Sequence, residues 1–193
     1  MNPIDPREIL NLYEYEKVRD ARRRAVIALK GERRVAVGRY LSFVFENRET
    51  VWFQIQEMTR AERIVDEGRI AEEVEVYNSL LPRPGELAAT MFIEIGDAAR
   101  IKPVLDTLLG IDVGGHVRLE VGAETITGVF EAGHSDEDLG KLSAVHFVRF
   151  PLTPVARRTF ADAEVALVVD HAGDRGRTVL TPPVRRRLAE DLL

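Results

Sequence analysis

From Glu86 to Ile95 the apolar side chains Leu87, Ala89, Met91, Ile93 and Ile95 recur at every second position, the period of a strand with one buried face. Upstream the period changes to that of a helix. Val51, Ile55, Met58, Ala61 and Val65 form a seam on a helix that starts at the cap residue Asn47. A second seam, Ile70, Val74, Tyr77 and Leu81, is ended by Pro82. Between Val35 and Glu46 two alternating runs meet at Gly38 and predict a hairpin or a bent strand. Asp5-Pro6 predicts a helix start, followed to about Lys30 by one long, mostly exposed helix or two short ones.

The second half reads as shorter elements. A helix is predicted over Asp97 to Leu109, although Pro103 is too deep for that start, so the helix begins later or kinks. Val117–Val121 and Thr125–Phe130 predict a hairpin around Gly122-Ala123, and Leu142–Phe150 a strand that is apolar on both faces. Thr153-Pro154 caps a short helix, Val165–Asp170 is the last strand expected, and Thr181-Pro182 opens a C-terminal helix. The polar run Ala132 to Lys141 is the expected mobile loop and, with Gly173 to Arg177, the expected first site of proteolysis. This order lacks βαβ alternation. It predicts an α+β fold, a mainly antiparallel sheet packed with several helices, as a single domain over 1–193 with an N-terminal helical arm over 1–30. An uncovered apolar sheet face would further imply a homodimer.

Composition changes the picture in three places. The 193 residues include no cysteine, which excludes disulfides, cysteine-held iron–sulfur clusters and thiol nucleophiles. The net charge of −5 argues against general nucleic-acid binding. The polar N-terminus and the lack of a long apolar run make a signal peptide and a membrane helix unexpected, so a cytoplasmic location is expected.

Phosphate-binding loops, nucleophile elbows and His-Glu-x-x-His pairs are absent from the sequence. Candidate chemistry therefore rests on scattered groups. His116, His134, His146 and His171 lack metal-ligand spacing, though His146, His171, Asp170 and Glu57 have suitable donors. His134, beside acids, reads as a solvated surface group. The segment Glu46 to Arg63 is rich in groups that hold anions or planar ligands: Glu46, Arg48, Gln54, Glu57 and Arg60. An ordinary exposed helix face accounts for it as well. Arg149 lies on the strand face opposite His146 and needs a carboxylate, with Glu46, Glu57 and Glu94 as candidates. His146 is expected to share a polar pocket with Glu57. The clusters Arg22-Arg23-Arg24 and Arg33-Arg34 read either as a solvated helix face or as the footprint of an anionic partner.

Phe45-Glu46-Asn47-Arg48, Gln54-Ile55-Gln56-Glu57-Met58, Tyr77-Asn78 and Ala144-Val145-His146-Phe147 resemble an uncharacterised bacterial single-domain family of unknown function. The resemblance covers most of the chain. Its members are often encoded beside rubrerythrin-like and iron–sulfur oxidoreductase proteins, which implies a redox protein partner and a role in redox metabolism or peroxide defence. No catalytic residues and no cofactor follow from it. The function expected is a non-enzymatic accessory or binding protein. The alternative is an enzyme or sensor that binds a metal or small anion through His146 and Glu57, for which convergence of His146, Glu57 and Arg149 on one pocket is the discriminating feature.

Overall fold

A computed structural model describes residues 1–133, 135–136 and 140–192, without the side chain of Asp136. A 3-10 turn at Pro6–Glu8 precedes α1 (Leu12–Gly31), β1 (Arg34–Val37), β2 (Leu41–Phe45), α2 (Arg48–Ala61) and α3 (Glu67–Asn78). There follow β3 (Glu86–Ile93), α4 (Ile101–Thr107), β4 (Val117–Val121), β5 (Glu124–Thr127), β6 (Val129–Phe130), β7 (Ser135–Asp136) and β8 (Lys141–Leu142). The chain ends with β9 (Val145–Pro151), α5 (Pro154–Thr159), β10 (Val165–His171), β11 (Asp174–Val179) and α6 (Pro182–Glu190). The fold is α+β with antiparallel sheets.

One sheet has the order β1-β2-β3-β9-β6 and the other β11-β10-β4-β5. Their inner faces meet in the main core, where Phe43, Phe45, Met91 and Phe150 pack with Leu119, Ile126 and Leu167. Val104 of α4, Ala156 of α5 and Leu188 of α6 complete that core, with Leu108 and Phe160 directly after the first two helices. The outer face of the five-stranded sheet is covered by α2 and α3 through Val51, Ile55, Val74 and Phe147. Helices therefore cover the second face that the sequence left open. That is why β2 is buried at all five positions and β3 at all but one.

Local signals placed the helix starts. Asn47 accepts the Thr50 N–H at 3.0 Å while its own N–H donates to the Thr50 hydroxyl at 2.9 Å, a reciprocal cap. Asn11 caps α1 by accepting the Glu14 N–H, and Thr153 caps α5 by accepting the Ala156 N–H. The Pro103 conflict resolves through a late start: a 3-10 turn at Ala98–Arg100 leads into α4, so Pro103 falls in its first turn. No helix among the described residues is long and apolar enough to cross a membrane.

Two expectations need correction here. Gly173–Arg177 is no loop: Asp174–Val179 pairs with β10 along six positions. Its outward Arg175 and Arg177 are charged, so it lacks an apolar alternation. Arg33, read as part of a surface cluster, is only 1 % exposed. The segment 132–141 falls partly on residues 134 and 137–139, which lie outside those described, as does the expectation for His134; Ser135–Asp136 and Lys141–Leu142 pair as a two-stranded ribbon.

The two sheets are joined at one corner. Asp174, buried at the start of β11, accepts the N–H groups of Arg39 and Tyr40 in the β1–β2 turn, each at 2.9 Å. Gly38 has a φ of +68°, and a Cβ there would lie 2.4 Å from the Asp174 carboxylate. Next to this corner His171 accepts the Gly173 N–H on Nδ1 at 3.1 Å, and its Nε2–H donates to the Leu109 carbonyl at 3.1 Å. This fixes a neutral imidazole, with the His116 ring edge-on at 4.7 Å.

Burial, followed by the charge of His116, holds His171 below its ordinary value of 6.5. The unfolded chain therefore takes up this proton first as pH falls. The stabilisation is complete above 6.5 and is lost as pH drops below it toward the folded-state value. Thermal melts between about pH 7.5 and about pH 5.5 should show a falling midpoint, and His171→Asn should flatten that part of the slope. An unchanged slope in the variant would remove His171 from the explanation.

Candidate functional site

Seven residues were singled out from the sequence, and the fold divides them into three groups. The stripe Arg48, Trp52, Gln56 and Arg60 recurs at four-residue intervals along α2 and faces the N-terminal arm. Arg48 donates to the Asn2 carbonyl at 3.1 Å and to Glu8. The Trp52 indole N–H donates to the Glu8 carbonyl at 3.2 Å. The fully buried Gln56 amide accepts from the Leu10 N–H at 2.8 Å and donates to the Leu10 carbonyl at 3.0 Å. Arg60 pairs with Glu16. Glu57, on the adjoining flank, accepts from Tyr15 at 2.7 Å and from both Nε and Nη2 of Arg19. The Arg19 hydrogen bonds, despite partial burial, hold its carboxyl below the usual range. These polar residues fasten α1 and the preceding turn, so Arg48, Glu57 and Arg60 tether the arm.

His146 sits apart, fully buried on the core side of β9. Its Nε2–H donates to the Ser143 carbonyl at 2.8 Å, and Nδ1 lies 3.7 Å from Asp112, which the Ser135 hydroxyl also contacts. The pocket expected between His146 and Glu57 is not formed. His146 faces the core, whereas Glu57 turns to α1, and the sheet lies between the core and the helices.

Glu46, Gln54 and Arg149 are brought together on the helix-covered side of the five-stranded sheet. Glu46 follows β2 directly, its N–H donating to the Ala88 carbonyl at 2.8 Å. The cap at Asn47 then turns the chain so that Thr50 and Gln54, four and eight positions on, stand over its carboxylate. Oε2 accepts from the Thr50 hydroxyl and the Gln54 amide, and Oε1 accepts from the Thr90 hydroxyl at 2.6 Å. Glu46 is 2 % exposed, and no cation pairs with it among the described residues. A buried carboxylate costs several kcal/mol unless hydrogen-bonded; three neutral donors meet that need here.

Arg149 lies opposite Ala88 and points outward. It donates to Glu86 at 2.5 Å and to the carbonyls of Leu81, at 3.0 Å, and Ser79, so it closes the C-terminal turns after α3. Its carboxylate partner is Glu86, a correction to the expected Glu46, Glu57 or Glu94. Glu86 is a same-face diagonal neighbour across the β3–β9 ladder, a relation that only register reveals. Glu94 pairs instead with Arg34.

Between these groups is a 280 Å³ pocket whose charged lining is Glu46, Glu131, Arg83 and Arg149, with Leu80, Ala88, Phe130, Phe147 and Val148 among its apolar walls. Arg83 was not expected from the sequence. Held between Pro82 and Pro84, it donates its backbone N–H to Glu86 at 2.9 Å, while its exposed guanidinium has no acid partner among the described residues. The flanking prolines are the sequence signal that marks it as a fixed, non-helical position. The arrangement sets an acceptor and a cation around an apolar-lined hollow. No group of three or more metal-ligating side chains occurs among the described residues.

A family model described as "Protein of unknown function (DUF3501)" matches residues 3–192. Among solved structures, a protein of unknown function from Burkholderia pseudomallei K96243 is similar at 32% identity and a TM-score of 0.91, covering 100% of both chains. No curated protein matches.

Proposed function

This chain belongs to the DUF3501 family of proteins of unknown function, and from that premise we propose that it is a non-enzymatic accessory protein that binds a compact ligand between Glu46 and Arg83. The observation that carries this reading is the pocket's polarity. Glu46, buried, and Arg83, exposed, have no ion-pair partner among the described residues, and they line the same hollow as Glu131 and the Glu86-paired Arg149. Up to four lone-pair positions are available on a carboxylate, about one more than Glu46 uses. The fitting ligand carries a hydrogen-bond donor or cation at one end and an anionic group at the other. Its size is small, since the 280 Å³ volume is near the lower end for ligand pockets.

A metal- or anion-binding enzyme or sensor built on His146 and Glu57 has less support. It needs those residues and Arg149 around one pocket, and each has a separate set of partners. The redox half of the proposal, a redox protein as the partner served, is supported by the sequence resemblance alone.

Native mass spectrometry of the protein isolated from its own cells tests both halves. A retained small-molecule mass is expected in the wild type and should be lost in Arg83→Met at unchanged melting temperature, because that side chain is exposed. A redox protein should appear in the same spectra at fixed stoichiometry. A bare-chain mass from freshly lysed cells, with no ligand and no partner, would defeat the proposal.

A further inference from the structure

A second group of cations lies at the corner where the sheets join, away from the pocket just described. Arg39 follows Gly38 in the β1–β2 turn, and its guanidinium carbon lies 5.2 Å from the centroid of the Tyr40 ring. Arg100, in the 3-10 turn before α4, donates from Nη2 to the Tyr40 hydroxyl at 2.9 Å. One tyrosine thus fixes two guanidinium groups, one over its face and one at its tip. Both are exposed, and neither forms an ion pair among the described residues. Like charges gathered in excess of their counter-charge are unfavourable, and their placement is explained when an anion completes the cluster.

The surroundings define that anion. The two arginines and Tyr40 line a 650 Å³ depression together with Pro103, Val104 and Gly173. Asp174 is the acid of this depression, and its carboxylate is already engaged by the Arg39 and Tyr40 N–H groups beneath the turn. The balance of Arg39 and Arg100 against Asp174 remains positive. Guanidinium forks match the oxygens of phosphate in bidentate geometry, and the apolar wall leaves room for an organic body beside them. We propose that Arg39, Tyr40 and Arg100 form a binding site for the phosphate group of a small organic phosphate monoester, with Pro103 and Val104 against its organic part.

The test is calorimetric titration of the full chain with inorganic phosphate and with phenyl phosphate, at low and at moderate salt. Saturable binding of both is expected, with phenyl phosphate tighter by about tenfold or more because it also meets the apolar wall. Arg100→Met and Arg39→Met should each weaken phenyl phosphate by about tenfold or more at unchanged melting temperature. Added salt should weaken binding as well. Arg186→Met, exposed on α6 outside this depression, should leave it unchanged. Absence of saturable binding, or equal affinity in the Arg39→Met/Arg100→Met double variant, overturns the site. Equal affinity for the two probes overturns the assignment to an organic monoester.

Discussion

Replacing Arg33 by methionine should lower the unfolding free energy by about 3–5 kcal/mol, the range found when one partner of a buried ion pair is removed. Arg33 is 1 % exposed and stands just before β1. Its Nε donates to the Phe45 carbonyl at 2.7 Å, and its Nη2 donates to the Glu46 carbonyl at 3.3 Å and to Asp191. Three acceptors at the end of β2 and after α6 thus depend on one guanidinium. Methionine fills part of the volume and satisfies none of them, leaving the Asp191 carboxylate without its cation. Burial already pushes that carboxyl above its usual range in spite of the pull of Arg33. Urea denaturation at neutral pH reads the effect. Asp191→Asn combined with Arg33→Met should cost less than the sum of the two single changes, because each removes the same interaction. A loss below about 1 kcal/mol in Arg33→Met, the level of an exposed pair, would show that the pair is not buried in solution.

Asp174→Ala is the second large effect, a destabilisation of about 3 kcal/mol built from hydrogen bonds to a charged acceptor at roughly 1.5–3 kcal/mol each, lessened where the turn gains water. The carboxylate holds the β1–β2 turn of one sheet against the first residue of β11 in the other. The backbones approach closely at this corner: a Cβ on Gly176 would lie 2.4 Å from the Gly38 nitrogen. The Thr178 hydroxyl adds one more link, to the Ala36 carbonyl at 2.8 Å. Without Asp174 the N–H groups of Arg39 and Tyr40 lose their acceptor, and the turn that presents Arg39 and Tyr40 loosens. Hydrogen exchange at those two amides should rise well beyond the change elsewhere, and chemical denaturation should report the global loss. Unchanged protection of both amides would mean that another acceptor holds the turn.

Much of the fold was legible because its signals act within one element. The alternation through Leu87, Ala89 and Met91 marks β3, since a strand with a buried face needs period two. Asn47 and Thr153 mark helix starts, since a side-chain oxygen satisfies a first-turn N–H only a few positions ahead. The strand β11 escaped this reading because its edge side chains, Arg175 and Arg177, pair with Asp170, Glu120 and Glu164 on the exposed surface and leave no apolar period.

The candidate site was legible only as a set of residue types. Glu46, Gln54 and Arg149 were identified as polar groups needing partners, and the structure gathers them near one pocket; Arg48, Glu57 and Arg60 were drawn to the arm by the same polar character. The amino-acid sequence alone determined where β3 and the capped helices lie and that Arg149 and His146 face opposite ways, because backbone period and capping are settled over a few neighbouring residues. The tertiary structure alone decided that Arg149 meets Glu86, that Arg33 meets Asp191 across 158 positions, and that Glu46 rests among neutral donors. Those pairings depend on sheet register and on which helix covers which face, and both follow from the joint burial of every apolar surface at once.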